Sequence, residues 1–256
     1  MLPHEDTIPS HVDRITSEIK QEGIQRDPII VDADTGAVLD GMHRLAAFGR
    51  LGLENAVCCS VDYSSKMVSL QRWARAYSHS VRREVGQALM DAGISRKCTM
   101  SEAFNSLDAR KCGLAALSSQ GAFLPADRLD LQGAFAIVRG LDAIAQESGW
   151  KRTFFSEDEI DSALQDERTV VVLIQKLGKD DVIAAARSGR LFPCKTSMHT
   201  IEPRPVAVNL PIEKLSSMSG SELRKQLQTS GGKLLPQGSL YQGRRYKERL
   251  LLLNPS

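Results

Sequence analysis

An α/β (α+β) protein of two lobes is expected from three observations. Two short apolar runs joined by a turn lead directly into an amphipathic helix near residue 40. A second helix–strand–helix series begins after Trp150. The composition is that of an ordinary globular protein, 42% hydrophobic and 25% charged over 256 residues, enough chain to bury a core.

Taken in order, Ser10 is expected to cap a first helix that carries Val12, Ile15 and Ile19 on one face and stops at Gly23. Pro28–Val31, the turn Asp34-Thr35-Gly36 and Ala37–Leu39 read as a hairpin. Leu45, Ala46, Phe48 and Leu51 then recur at helical spacing until Gly52. A strand over 56–62 completes a unit. Its core is expected to take up the adjacent thiols Cys58 and Cys59. Residues 81–95 read as helix, with Val85, Ala88, Leu89 and Ile94 as its buried stripe. Residues 113–140 mix short apolar runs with Ser, Gly and Pro and give no clear order. Phe154-Phe155 closes a short strand, Ser156 caps a helix, and Thr169–Ile174 is apolar enough to be buried on both faces. Asp180 opens a helix that ends at Gly189. Ser221–Gln228 is a short helix in a polar tail, and Arg244–Leu253 reads as an edge strand. The expected divisions are a lobe over 1–80, a second over 81–213 and an extension over 214–256.

Charge and cysteines exclude several classes. Lys plus Arg number 33 against 31 Asp plus Glu, a net charge of +2, too balanced for a nucleic-acid or membrane surface. No apolar run approaches the roughly 20 residues of a membrane helix, and the first residues lack the pattern of a secretory leader, so the cytoplasm is the expected compartment. The five cysteines lack CxxC spacing, which argues against a zinc site or disulfide scaffold.

Three polar motifs could carry chemistry. In Asp40-Gly41-Met42-His43-Arg44, a glycine at a helix start lets a phosphate approach free backbone N–H groups, with Arg44 as a forked cation and His43 as a donor. The competing reading is an N-cap aspartate, a helix-start glycine and a solvated arginine. Glu5, in Pro3-His4-Glu5, is either a carboxylate that reaches this cradle or a plain helix-start charge. Lys195-Thr196-Ser197-Met198-His199 gathers a cation, two hydroxyls and a histidine, either an anion site or a polar surface loop. Trp73 is a core residue or a binding wall. Cys194, beside the third motif, is a reactive thiol or an incidental small residue.

Pro3-His4-Glu5, Gly23-Ile24 with Pro28, Asp40-Gly41-x-His43-Arg44, Asp62-Tyr63, Trp73 and Lys195-Thr196-x-x-His199 occur in this order, and together they resemble the free L-serine kinases, enzymes of ParB/sulfiredoxin-like fold. The resemblance covers roughly residues 1–80 and 150–210. Met42 stands where sulfiredoxins carry their redox cysteine. Met42-His43 also replaces the Glu-Arg of chromosome-partitioning ParB proteins. Arg26, Asp27 and His11 depart from the archaeal kinases.

The resemblance implies a ParB/sulfiredoxin-like N-terminal lobe, a smaller α/β lobe and an active site in the cleft between them. It implies a phosphotransferase that makes O-phospho-L-serine from free L-serine and a nucleotide, ATP or ADP, with Mg²⁺; ATP is expected over ADP because the composition lacks the charged-residue enrichment of hyperthermophile proteins. Glu5 and Asp40 would be catalytic, with Asp40 also near the metal. Gly41, Met42, His43 and Arg44 would bind the nucleotide phosphates. Trp73, Lys195, Thr196, Ser197 and His199 would bind substrate. The alternative is a non-catalytic ParB-like regulator that binds nucleotide or DNA.

Overall fold

The computed structural model describes residues 1–79, 82–229 and 231–254, so the expected boundary at 80–81 falls outside the described residues. The chain forms two compact units that interleave along the sequence. One comprises Met1–Leu70, Lys179–Cys194 and His199–Ser256, and the other Gln71–Gly178 and Lys195–Met198. The helix Lys179–Ser188 and most of the tail therefore fold with the N-terminal segment.

In the first unit the hairpin forms as the sequence implies, with Ile29–Asp32 antiparallel to Val38–Asp40. Cys58–Val61 adds in parallel on the other side of Ile29–Asp32. Helices Pro9–Glu22 and Met42–Arg50 bury Val12, Ile19, Ala47 and Phe48 together. Two expectations fail here. Helix Pro9–Glu22 has Ile8 at its N-cap and no side-chain cap, with Pro9 supplying the preset φ, so Ser10 sits inside the first turn. Cys58 is exposed and Cys59 half-buried, because Cys58–Val61 is the edge of its three-stranded sheet.

The tail is built into this unit. Leu250–Leu252 lies between Arg204–Val206, to which it runs parallel, and Lys233–Leu235, to which it runs antiparallel. It is thus the central strand of its sheet, not an edge. Leu250 packs with Val206 and Ala207, and the helix Gly220–Thr229 contributes Leu223 and Leu227 to a cluster with Val57, Val208 and Leu210.

The second unit is an antiparallel sheet backed by helices. Thr169–Ile174, buried along its whole length, pairs with Val68–Ser78 on one side and Leu114–Ser118 on the other. The stretch the sequence left unordered is a tight hairpin, Leu114–Ser118 with Gly121–Pro125, followed by the helix Leu131–Glu147. Helix Arg82–Asp91 ends before Ile94, which begins the edge strand Ile94–Cys98. Lys151–Ser156 pairs with Val68–Ser78, and Ser156 with Glu159 forms a capping box. The core joins Leu107, Leu117, Leu124, Val171 and Leu173. Among the described residues, no helix is long and apolar enough to cross a membrane.

Candidate active site

Gly41 is the pivot of the cradle. Its φ of 97° lies in the left-handed region, where a side chain is strained, and it N-caps helix Met42–Arg50 at the end of strand Val38–Asp40. A Cβ there would come within 3.0 Å of Arg44 Nη2, 3.2 Å of its Nε and 3.3 Å of Ile29 Cα. The first intrahelical bond runs from Leu45 N–H to the Gly41 carbonyl at 2.8 Å. The preceding N–H groups are those a helix start leaves for an anion. Met42 packs its side chain beside Ile29, Val31 and Val38, so its backbone rather than its thioether serves the turn.

The two polar side chains of the turn are set by local partners. Arg44 donates from Nη2 to the Pro28 carbonyl at 3.0 Å, and the same nitrogen lies 3.5 Å from Asp40 Oδ2. Its Nη1 is 4.0 Å from Asp27 Oδ2. This guanidinium braces the turn. His43 Nε2 accepts the Ile8 N–H at 2.9 Å, which puts the proton of the neutral ring on Nδ1 and ties the cradle helix to the start of helix Pro9–Glu22.

Glu5 is buried, 6% exposed, on an extended segment rather than at a helix start. Phe192 N–H donates to the His4 carbonyl and Asp6 N–H to the Phe192 carbonyl, both at 2.8 Å, which fixes the backbone on either side of Glu5. Glu5 Oε1 lies 3.9 Å from His4 Nε2. His4 is fully buried, and burial pushes its pKa down to about 4, so its ring is neutral. The His4 ring meets His199 edge-on with centroids 5.5 Å apart.

His199 belongs to this unit, whereas the rest of its motif does not. It is buried, and its Nε2 is 2.8 Å from the Tyr63 hydroxyl. Burial first, then the neighbouring His4 and Arg204, hold its pKa well below the usual histidine range. Its ring thus packs as a neutral group against Tyr63 and His4. The Tyr63 carbonyl in turn accepts Lys179 Nζ at 2.6 Å.

The sequence reading missed Arg204. It is 3% exposed and donates from Nη1 to Asp40 Oδ2 at 2.8 Å, from Nε to Glu248 and from Nη2 to the His199 carbonyl. Burial opposes its charge, but Asp40 and Glu248 outweigh burial and raise its pKa. Only its position between Pro203 and Pro205 marked it in the sequence. The first unit thereby assembles a connected set: Glu5, His4, His199, Arg204, Asp40 and Arg44.

In the second unit, Trp73 is half-buried on Val68–Ser78 and its N–H donates to the Thr196 carbonyl at 3.3 Å. Lys195, at φ 55°, holds its ammonium 5.0 Å from the Trp73 ring centroid. Thr196 and Ser197 are buried, and Ser197 opens the strand Ser197–Ile201, so the motif is only partly loop. Cys194 is also buried.

No protein-family profile matches the chain. An ATP-dependent L-serine kinase of Staphylothermus marinus is 24% identical over 223 residues, 84% of this chain and 88% of that protein. The ADP-dependent L-serine kinase of Thermococcus kodakarensis is 21% identical over 221 residues, 84% and 89% of the two chains. A free serine kinase solved with AMP superposes with a TM-score of 0.71 at 21% identity, over 84% of this chain and 90% of its own. The chain is a homologue of the free L-serine kinases and has their α/β fold.

Proposed function

We propose that the protein is a phosphotransferase that moves the terminal phosphoryl group of a nucleotide to the hydroxyl of free L-serine, giving O-phospho-L-serine. The observation that carries this reading is the buried Glu5 carboxylate in the same compact unit as the Asp40–Arg44 turn. The similarity over 84% of the chain to kinases of both ATP- and ADP-dependent type supports it.

In the reaction, the serine Oγ loses its proton to Glu5 and forms a bond to the terminal phosphorus. The bridging P–O bond breaks, and the shortened nucleotide leaves with those electrons. Proton removal is a modest part of such catalysis, and most of the barrier is met by alignment and charge neutralisation. Backbone N–H groups at Gly41–Arg44 and the His43 ring hold the phosphates, while Arg44 keeps the turn in shape. Trp73, Lys195, Thr196 and Ser197 form the substrate-binding set of the second unit. His199 joins this set from the first unit, with Nε2 held by the Tyr63 hydroxyl.

Among the described residues, no group of three or more His, Cys, Asp or Glu could hold a metal by itself. That fits Mg²⁺, which usually takes one or two carboxylates with phosphate and water. Asp40 would hold it together with the nucleotide, and the ion would neutralise charge on the phosphates. ATP is the proposed donor. The five free thiols suit a reducing compartment, which supports the cytoplasm.

Purified protein incubated with Mg²⁺, L-serine and ATP or ADP tests the reading. Mass spectrometry is expected to find phosphoserine together with ADP from ATP, or with AMP if ADP is the donor. No phosphoserine with either donor, from folded protein, overturns it.

A further inference from the structure

The C-terminal extension reaches the cradle at two points, both inside the first unit. At the first, Glu248, 5% exposed, accepts Arg204 Nε, and Arg204 passes the restraint to Asp40 through its Nη1 at 2.8 Å. Arg204 also lies 5.8 Å from the Tyr246 ring centroid. At the second, the Tyr241 hydroxyl donates to Asp27 Oδ1 at 2.9 Å, an oxygen that also accepts the Ala207 N–H at 2.9 Å. Asp27 Oδ2 faces Arg44. The carrier of these groups is firmly seated: Arg204 N–H donates to the Arg249 carbonyl at 2.9 Å, next to the strand Leu250–Leu252.

A buried arginine is costly to desolvate, and its charge is held here by carboxylates on both sides. Glu248 is buried while the Asp40 side chain is 40% exposed, so the inner carboxylate anchors the cation and the outer one is the group being held. A guanidinium fixed at Nε by one carboxylate presents Nη1 in a set direction, because its donor fork is planar and rigid.

We infer that residues 240–250 of the extension are part of the active site, with Glu248 and Arg204 acting as positioning residues that hold Asp40 for phosphoryl transfer. This inference rests on the kinase reading for its catalytic consequence but not for its structural one. Glu248 fixes Arg204, and Arg204 holds Asp40 through Nη1 while its Nη2 donates to the His199 carbonyl.

The test uses the full chain. Arg204→Met alone leaves Glu248 as a lone buried charge and is at risk of misfolding, so the paired Arg204→Met/Glu248→Gln variant, which removes both charges, is the main probe. Hydrogen exchange over residues 38–46 of the folded variant is expected to quicken at least 10-fold, with the second unit unchanged. Its kcat is expected to fall at least 10-fold, while the KM for serine and the nucleotide Kd stay within about 3-fold. In an Asp40→Asn background the same pair of changes is expected to cost less than 3-fold, because residues acting through one partner are non-additive. Unchanged exchange over 38–46 overturns the inference, as does a kcat loss that persists in full with Asp40→Asn. A wild-type protein that makes no phosphoserine defeats the kinase reading instead, and the exchange result still decides whether the extension holds Asp40.

Discussion

Glu5 and Arg44 have opposite expected signatures. Glu5→Gln keeps the shape of the side chain and most of its hydrogen bonding but cannot take a proton. Turnover is expected to fall by about 10²-fold or more with nucleotide affinity nearly intact, the usual scale for a positioned general base. A fall in melting temperature without a specific loss of rate would instead make Glu5 structural. Arg44→Ala is expected to do both kinds of damage. Its fork ties Pro28, Asp40 and Asp27 together, and a charged hydrogen bond of this kind contributes about 1.5–3 kcal/mol. Calorimetry and thermal melts on one preparation should show lower stability and weaker nucleotide binding. Unchanged values of both would return Arg44 to the role of a solvated helix residue.

Among elements, the turn into helix Met42–Arg50 is the most demanding. Gly41→Ala places a Cβ where φ is 97° and where Arg44 and Ile29 already sit within about 3 Å. The left-handed conformation alone costs roughly 1–2 kcal/mol for an L-residue, and the displaced guanidinium adds to that. Denaturant unfolding is expected to register at least this loss, with nucleotide affinity reduced as well. Equal stability would mean that the turn relaxes freely. This element was legible because its signals are local: turn residues, a glycine and a helical period. Thr169–Ile174 was legible for the same reason. The hairpin Leu114–Pro125 was not, because its Leu-Ala-Ala-Leu run is buried on both faces and shows no alternation. Leu250–Leu252 read as an edge strand because nothing local tells a central short strand from an outer one.

For the whole molecule, folding buries two neutral histidines, and this predicts acid sensitivity. His4 falls from the ordinary 6.5 to about 4, so between these values the unfolded chain binds the proton that the folded chain refuses. Stability therefore drops as pH falls through this window, by about 3 kcal/mol for His4 at one unit per 1.36 kcal/mol. His199 acts in the same direction. Melting curves between pH 7 and pH 4 should show the slope, and His4→Gln should flatten it. An unaltered slope in that variant would assign it to other groups.

Long sequence separations inside the first unit explain what the sequence concealed at this scale. Glu5, Asp40 and His199 were visible as motifs. Arg204 and Glu248 were not, since a lone arginine between prolines forms no motif and Lys247-Glu248-Arg249 lies within the stretch read as an edge strand. Their role follows from a pairing 44 residues apart that no local pattern encodes.

The most direct measurement of the account is a ³¹P NMR time course on one preparation of wild-type and Glu5→Gln protein, with Mg²⁺, free L-serine and the nucleotide donor. For the wild type, the phosphomonoester resonance of O-phosphoserine should grow as the terminal phosphate of the donor declines, and Glu5→Gln should stay nearly silent while still binding the nucleotide. Donor loss to inorganic phosphate without phosphoserine, or equal phosphoserine from both proteins, would contradict it.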